Sequence, residues 1–80
     1  MDKPLVESRL TTILRETFND PELQLREDLT AAEVDGWDSL THINLIVAVE
    51  SDFGIRLTTA DVRGLRNVGD FVNIIALKAK

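Results

Sequence analysis

The stretch Gly36-Trp37-Asp38-Ser39-Leu40 sets an acid and a hydroxyl at the mouth of the most apolar run in the chain. Two kinds of chemistry suit that pair. Asp38 and Ser39 can cap a helix, each side-chain oxygen accepting a first-turn N–H that has no partner within the helix, an interaction worth about 1 kcal/mol. Alternatively, Ser39 can be a reacting hydroxyl. His42 stands three residues on, within reach on one helical face, with Asp35 and Asp38 nearby as the third member of a nucleophilic triad. Such a triad also needs donors for an oxyanion, and no segment here supplies them. For Asp38 and Ser39 taken alone, capping is the better account.

Length and composition narrow the choice. A chain of 80 residues forms one domain, and one of that size buries only about 60% of the surface its unfolded form exposes, which leaves little room for an enclosed active site. There is no cysteine, so disulfides, Cys-ligated zinc and thiol catalysis are excluded, and any thioester chemistry would need a borrowed thiol. No apolar run approaches the ~20 residues that cross a bilayer, and MDKPLVESRL lacks the apolar stretch of a signal peptide, so a cytoplasmic location is expected.

Charge is unevenly spread. Residues 19 to 54 hold nine acids (Asp20, Glu22, Glu27, Asp28, Glu33, Asp35, Asp38, Glu50 and Asp52) against Arg26 alone, whereas the net charge of the whole chain is −5. An anionic surface of this kind repels nucleic acid and anionic lipid and steers basic protein patches toward it, so the expected partners are proteins, with no nucleic acid and no membrane insertion.

The elements that must position Ser39 follow from apolar spacing. Val6, Leu10, Ile13, Leu14 and Phe18 recur at helical intervals after Pro4, predicting a first helix over about 4–18 that stops at Asn19-Asp20-Pro21. A long connection over 19–38 carries Leu23, Leu25, Leu29, Val34 and Trp37, which predicts a loop packed onto the bundle. Thr30 and Glu33 have the spacing of a capping box, so at most one short turn sits there. A second helix is predicted over 39–53, closed by Gly54, a short third over 59–64 with Thr58 as its cap, and a fourth over 68–78 carrying Val68, Phe71, Val72 and Ile75. The expected fold is all-α, a small three-to-four-helix bundle.

The second predicted helix has more apolar surface than one core face can use. Leu45, Val49 and Phe53 form one stripe, and Leu40, Ile43 and Val47 another roughly 150° to 160° away at 100° per residue. Either both stripes are buried between neighbouring helices, or the second is offered to a partner's groove beside acidic residues.

Taken together, the long acidic loop, Asp38-Ser39-Leu40 at a helix start, the second apolar stripe, and Phe53-Gly54-Ile55-Arg56-Leu57 leading into a short helix resemble the acyl carrier protein family, which binds phosphopantetheine. The likeness runs over essentially the whole chain. It implies a bundle of the acyl carrier protein type. It also implies that Ser39 receives 4′-phosphopantetheine from coenzyme A through a phosphopantetheinyl transferase, with Asp38 and Leu40 completing the attachment motif. The arm's thiol would then bear acyl-type cargo as a thioester for loading, modifying or transferring enzymes with basic patches. Asp35, Trp37, Leu40, Ile43, Val47 and Glu50 are the expected partner-facing residues of a monomeric, non-catalytic carrier. A phosphodiester at Ser39 would be favoured by the helix N-terminus and opposed by Asp35 and Asp38, so the arm is expected to swing freely. Fatty-acid carriers usually have acids two and five positions after the serine. Thr41 and Asn44 stand there instead, which points to a specialised lipid, polyketide or related pathway.

Three other readings compete. The letters Trp37-Asp38-Ser39-Leu40 are similar to the G-D-S-L motif of esterases, but those enzymes need a larger α/β domain and a downstream Asp and His. An aminoacyl or peptidyl carrier is poorly discriminated by sequence, since it differs chiefly in the enzymes it meets. An unmodified helical adaptor would use Leu40, Ile43 and Val47 alone. By position, His42 is expected to face solvent or a partner, and Trp37 to anchor the loop.

Overall fold

In the computed structural model, which describes residues 1–79, four α-helices and one 3₁₀ turn fold into a body of 30 × 25 × 22 Å. The helices are α1 (Lys3–Thr17), α2 (Ser39–Phe53), α3 (Thr59–Arg63) and α4 (Val68–Lys78), and the 3₁₀ turn is Ala31–Glu33. The all-α expectation holds, and the predicted boundaries agree to within a residue. Helix α1 packs against both α2 and α4. Its buried stripe of Val6, Leu10, Ile13 and Leu14 meets Leu45, Val49 and Phe53 of α2 and Val68, Phe71, Val72 and Ile75 of α4. Burying an aliphatic or aromatic side chain of this kind contributes about 1.5–3 kcal/mol over leaving it exposed, so these three stripes supply most of what holds the bundle together.

Local chemistry ends each helix where the chain must turn. Asn19 takes the left-handed conformation (φ 51°) just beyond α1, an arrangement that asparagine tolerates, and Asp20 N–H reaches back to Arg15 O at 2.9 Å. Gly54 closes α2 in the same left-handed region. Thr58 and Asn67 cap α3 and α4, accepting from Asp61 N–H (3.1 Å) and Asp70 N–H (2.9 Å).

The connection over 19–38 is packed down, as its scattered leucines require. Leu23 and Leu29 are buried, Leu25 and Val34 half-buried. Arg15 Nε donates to Leu23 O at 2.9 Å. At the far end of the loop, Val68 N–H donates to Leu29 O and Gly69 N–H to Glu27 O, both at 2.9 Å. A Cβ on Gly69 would lie 3.0 Å from that same Glu27 oxygen, so glycine lets the loop backbone lie directly on the first turn of α4. The expected capping box forms around the 3₁₀ turn, with Glu33 accepting the Thr30 N–H at 3.0 Å.

Acids of the middle segment are partly offset inside the fold. Arg26 pairs with Asp28 and Glu33. Arg9, from α1, pairs with Asp52 at 3.0 Å and lies over the Phe53 ring, 4.5 Å from its centroid. No residue of α3 is fully buried. It is tied down instead by Lys78 of α4, whose ammonium reaches Asp61 at 2.8 Å and Arg56 O at 3.0 Å.

Candidate functional site

Ser39 is the first residue of α2 and is exposed. The cap around it is built by its neighbours. Asp38 Oδ1 accepts Thr41 N–H at 2.9 Å, while Thr41 Oγ1 accepts Asp38 N–H at 2.8 Å and donates to Gly36 O at 2.7 Å. Gly36, at φ 85°, makes the turn that brings its carbonyl within reach. These bonds leave the Ser39 hydroxyl out of the network, so the two roles open to the motif separate: Asp38 caps, and Ser39 is left available. The Thr41 hydrogen bonds hold the Asp38 carboxyl below its ordinary range, which keeps a negative charge at the helix entrance.

Trp37 pins the loop from the other side. Its ring lies against Phe18, with centroids 5.2 Å apart, and its Nε1–H donates to His42 Nδ1 at 3.1 Å. His42 is half-buried, and the ring nitrogen facing the indole must be an acceptor. In the neutral imidazole Nε2 therefore carries the proton and cannot serve as a base toward Ser39. The loop-anchor role expected for Trp37 is what its packing shows, whereas His42, expected in solvent or at a partner surface, is tied to that anchor.

On the opposite side of α2 from Leu45, Val49 and Phe53, the residues Leu40, Ile43 and Val47 are 67%, 60% and 58% exposed. Of the two arrangements open to the second stripe, the structure has the exposed one. Asp35 and Asp38 lie exposed at its upper end. Glu50, expected at the partner face, is half-buried, and its carboxylate accepts Leu57 N–H at 2.9 Å, bracing the α2–α3 connection. Thr41, two residues after the serine, is likewise occupied within the molecule by its cap. Phe18, Thr41 and Lys78 are the supporting residues that sequence reasoning missed. Only Thr41 left a signal, since it stands at the N3 position of a helix capped by Asp38.

At the N-terminus of α2 a hydroxyl outside the cap stands beside an exposed apolar face. The model of the family described as "phosphopantetheine attachment site" matches residues 8–75. An acyl carrier protein of Thermotoga maritima is 32% identical over 71 residues, covering 89% of this chain and 88% of that one. A solution structure of holo acyl carrier protein from Geobacter metallireducens superposes with a TM-score of 0.87 at 36% identity, over 91% of this chain and 84% of that one. A structure from Mycobacterium tuberculosis shares the fold with a TM-score of 0.81 at 21% identity, over 90% of this chain and 96% of that one. The chain belongs to the acyl carrier protein family, whose members are non-catalytic, carry 4′-phosphopantetheine and are themselves substrates of a phosphopantetheinyl transferase.

The residues at the α2 entrance fit that group. Ser39 offers an exposed oxygen for a phosphodiester, and the N-terminal dipole of α2 favours the anion. The arm supplies a thiol, which a chain without cysteine cannot provide.

Proposed function

We propose that Ser39 is the residue that carries the arm, and that the chain holds acyl-type intermediates as thioesters for a dedicated set of biosynthetic enzymes. The observation that carries this is the exposed Ser39 hydroxyl at the first position of α2, left free by a cap made between Asp38 and Thr41. Docking would use Leu40, Ile43 and Val47 as the apolar contact, with Asp35 and Asp38 as an anionic edge facing basic residues on the partner. Thr41 is neutral and engaged in the cap, and the Glu50 carboxylate is engaged by Leu57 N–H, so few unengaged acids stand along the helix itself. This supports service to specialised lipid or polyketide enzymes over the general fatty acid synthase.

A test follows directly. With a broad-specificity transferase and a fluorescent coenzyme A analogue, the parent chain should take up label and the Ser39→Ala variant should take up none. Equal labelling of the variant would move the attachment site elsewhere.

A further inference from the structure

Beside Ser39 lies an open groove of about 500 Å³, lined by Ala31, Trp37, Asp38, Ser39, His42 and Ile43. It runs between the 3₁₀ turn and the first turn of α2, away from the Leu45, Val49 and Phe53 core stripe. Its surface is mainly apolar, from the Ala31 methyl, the Trp37 ring and Ile43. The two polar side chains besides Ser39 are constrained: Asp38 is held in its cap, and His42 has Nδ1 committed to the indole of Trp37. The imidazole therefore retains one donor, Nε2–H.

We propose that this groove is a resting seat for the proximal part of the arm on Ser39, in which His42 donates to the phosphodiester or the first amide carbonyl while Ala31, Trp37 and Ile43 receive the geminal dimethyl group. The inference rests on the carrier reading of Ser39. What identifies the occupant is the tether: Ser39 is itself part of the wall, so whatever its oxygen bears begins inside the groove. A tethered group meets a neighbouring surface at an effective concentration in the millimolar range, so a contact too weak to hold free pantetheine is enough to bias the arm. The chemistry matches in kind, one N–H donor and apolar surface in the same wall as the attachment point, while the Asp38 carboxylate, engaged by Thr41 N–H, opposes the phosphodiester only in part. The groove is open, so the bias coexists with release to a partner. Partner enzymes that touch Ile43 would cover one wall and free the arm as they dock.

The test uses the full chain, loaded by a transferase to completion as judged by intact mass. Nuclear Overhauser contacts are then sought between the geminal methyl protons of the arm and the Trp37 indole, Ala31 methyl and Ile43 side-chain protons. The account expects these contacts, together with apo-to-holo shifts at Ala31 and His42. In the loaded Ala31→Glu variant, whose new carboxylate fills the seat and repels the phosphodiester, the contacts should disappear. A loaded parent without them, and with shifts confined to residues 38–40, would overturn the seat and leave the attachment intact. A chain that gains no mass overturns both.

Discussion

Trp37 donates its indole N–H to His42 Nδ1 across 3.1 Å, and that one bond decides how the start of α2 can be used. It commits His42 Nδ1 as an acceptor, which takes that nitrogen away from Ser39, and it holds the end of the long acidic loop against the first turn of the helix. Removing the bond while keeping an aromatic ring should therefore loosen the loop without unfolding the bundle. Trp37→Phe is expected to cost about 0.5–1.5 kcal/mol, the net worth of an ordinary hydrogen bond, and Trp37→Ala more, because the packing on Phe18 is lost as well. Urea unfolding followed by circular dichroism measures both. Equal losses for the two variants would mean that the packing on Phe18 contributes nothing, and an unchanged Trp37→Phe would mean the same of the indole N–H.

The division of labour between Asp38 and Ser39 is open to the same method. Asp38→Ala removes the acceptor of the Thr41 N–H and should cost about 1 kcal/mol. Ser39→Ala removes a hydroxyl outside the cap and should change stability by no more than about 0.5 kcal/mol, as for a surface substitution away from any bonded feature. A larger loss for Ser39→Ala than for Asp38→Ala would make Ser39 a structural residue first.

Val47 is 58% exposed on the face turned away from the core. Val47→Asp should accordingly leave the melting temperature close to that of the parent while slowing modification by the transferase severalfold. A collapse in thermal stability with unchanged modification kinetics would place Val47 in the core and remove the docking face.

Gly69 lets the loop backbone lie against the first turn of α4. Gly69→Ala would gain helix propensity, up to about 1 kcal/mol. The new methyl would stand 3.0 Å from Glu27 O, however, and that carbonyl is held in place by the Gly69 N–H itself. The clash should win, with a net loss of about 1–2 kcal/mol read from urea unfolding. A more stable variant would show that the 19–38 loop can retreat.

The Lys78–Asp61 clasp ties the stability of the bundle to pH. The hydrogen bond from Lys78 pulls the Asp61 carboxyl down from its ordinary 3.8 to about 2. Because the folded state holds this proton less tightly than the unfolded state does, the clasp contributes stability above pH 3.8 and loses it as pH falls toward 2. The melting-temperature gap between the parent and Asp61→Asn should be full at neutral pH and close between those values. A gap that persists unchanged at pH 2 would assign the effect of the substitution to something other than charge.

Most of this architecture could be read in the residues because local signals and packing agree. Val6, Leu10, Ile13 and Leu14 point one way along α1, Gly54 and Asn67 mark helix ends, and Thr30 with Glu33 announces its turn. The divided apolar surface of α2 was likewise visible, since two stripes about 150° apart cannot share one core. What the sequence did not disclose were contacts between residues far apart in the chain. Nothing in periodicity brings Phe18 to Trp37, Arg9 to Asp52 or Lys78 to Asp61, and nothing at Glu50 says that its carboxylate turns to Leu57 N–H rather than outward. Those pairings arise only when the helices have packed, and they decide which polar groups remain free for a partner.

The central claim is that Ser39 bears the arm. Its most direct test is the intact mass of the chain after incubation with coenzyme A, magnesium and an active phosphopantetheinyl transferase, followed by fragmentation to locate the added group. The account predicts a gain of one phosphopantetheine, localised to Ser39 and absent from Ser39→Ala. An unchanged mass, with the transferase shown to be active on another carrier, or a group located on any other residue, would contradict it.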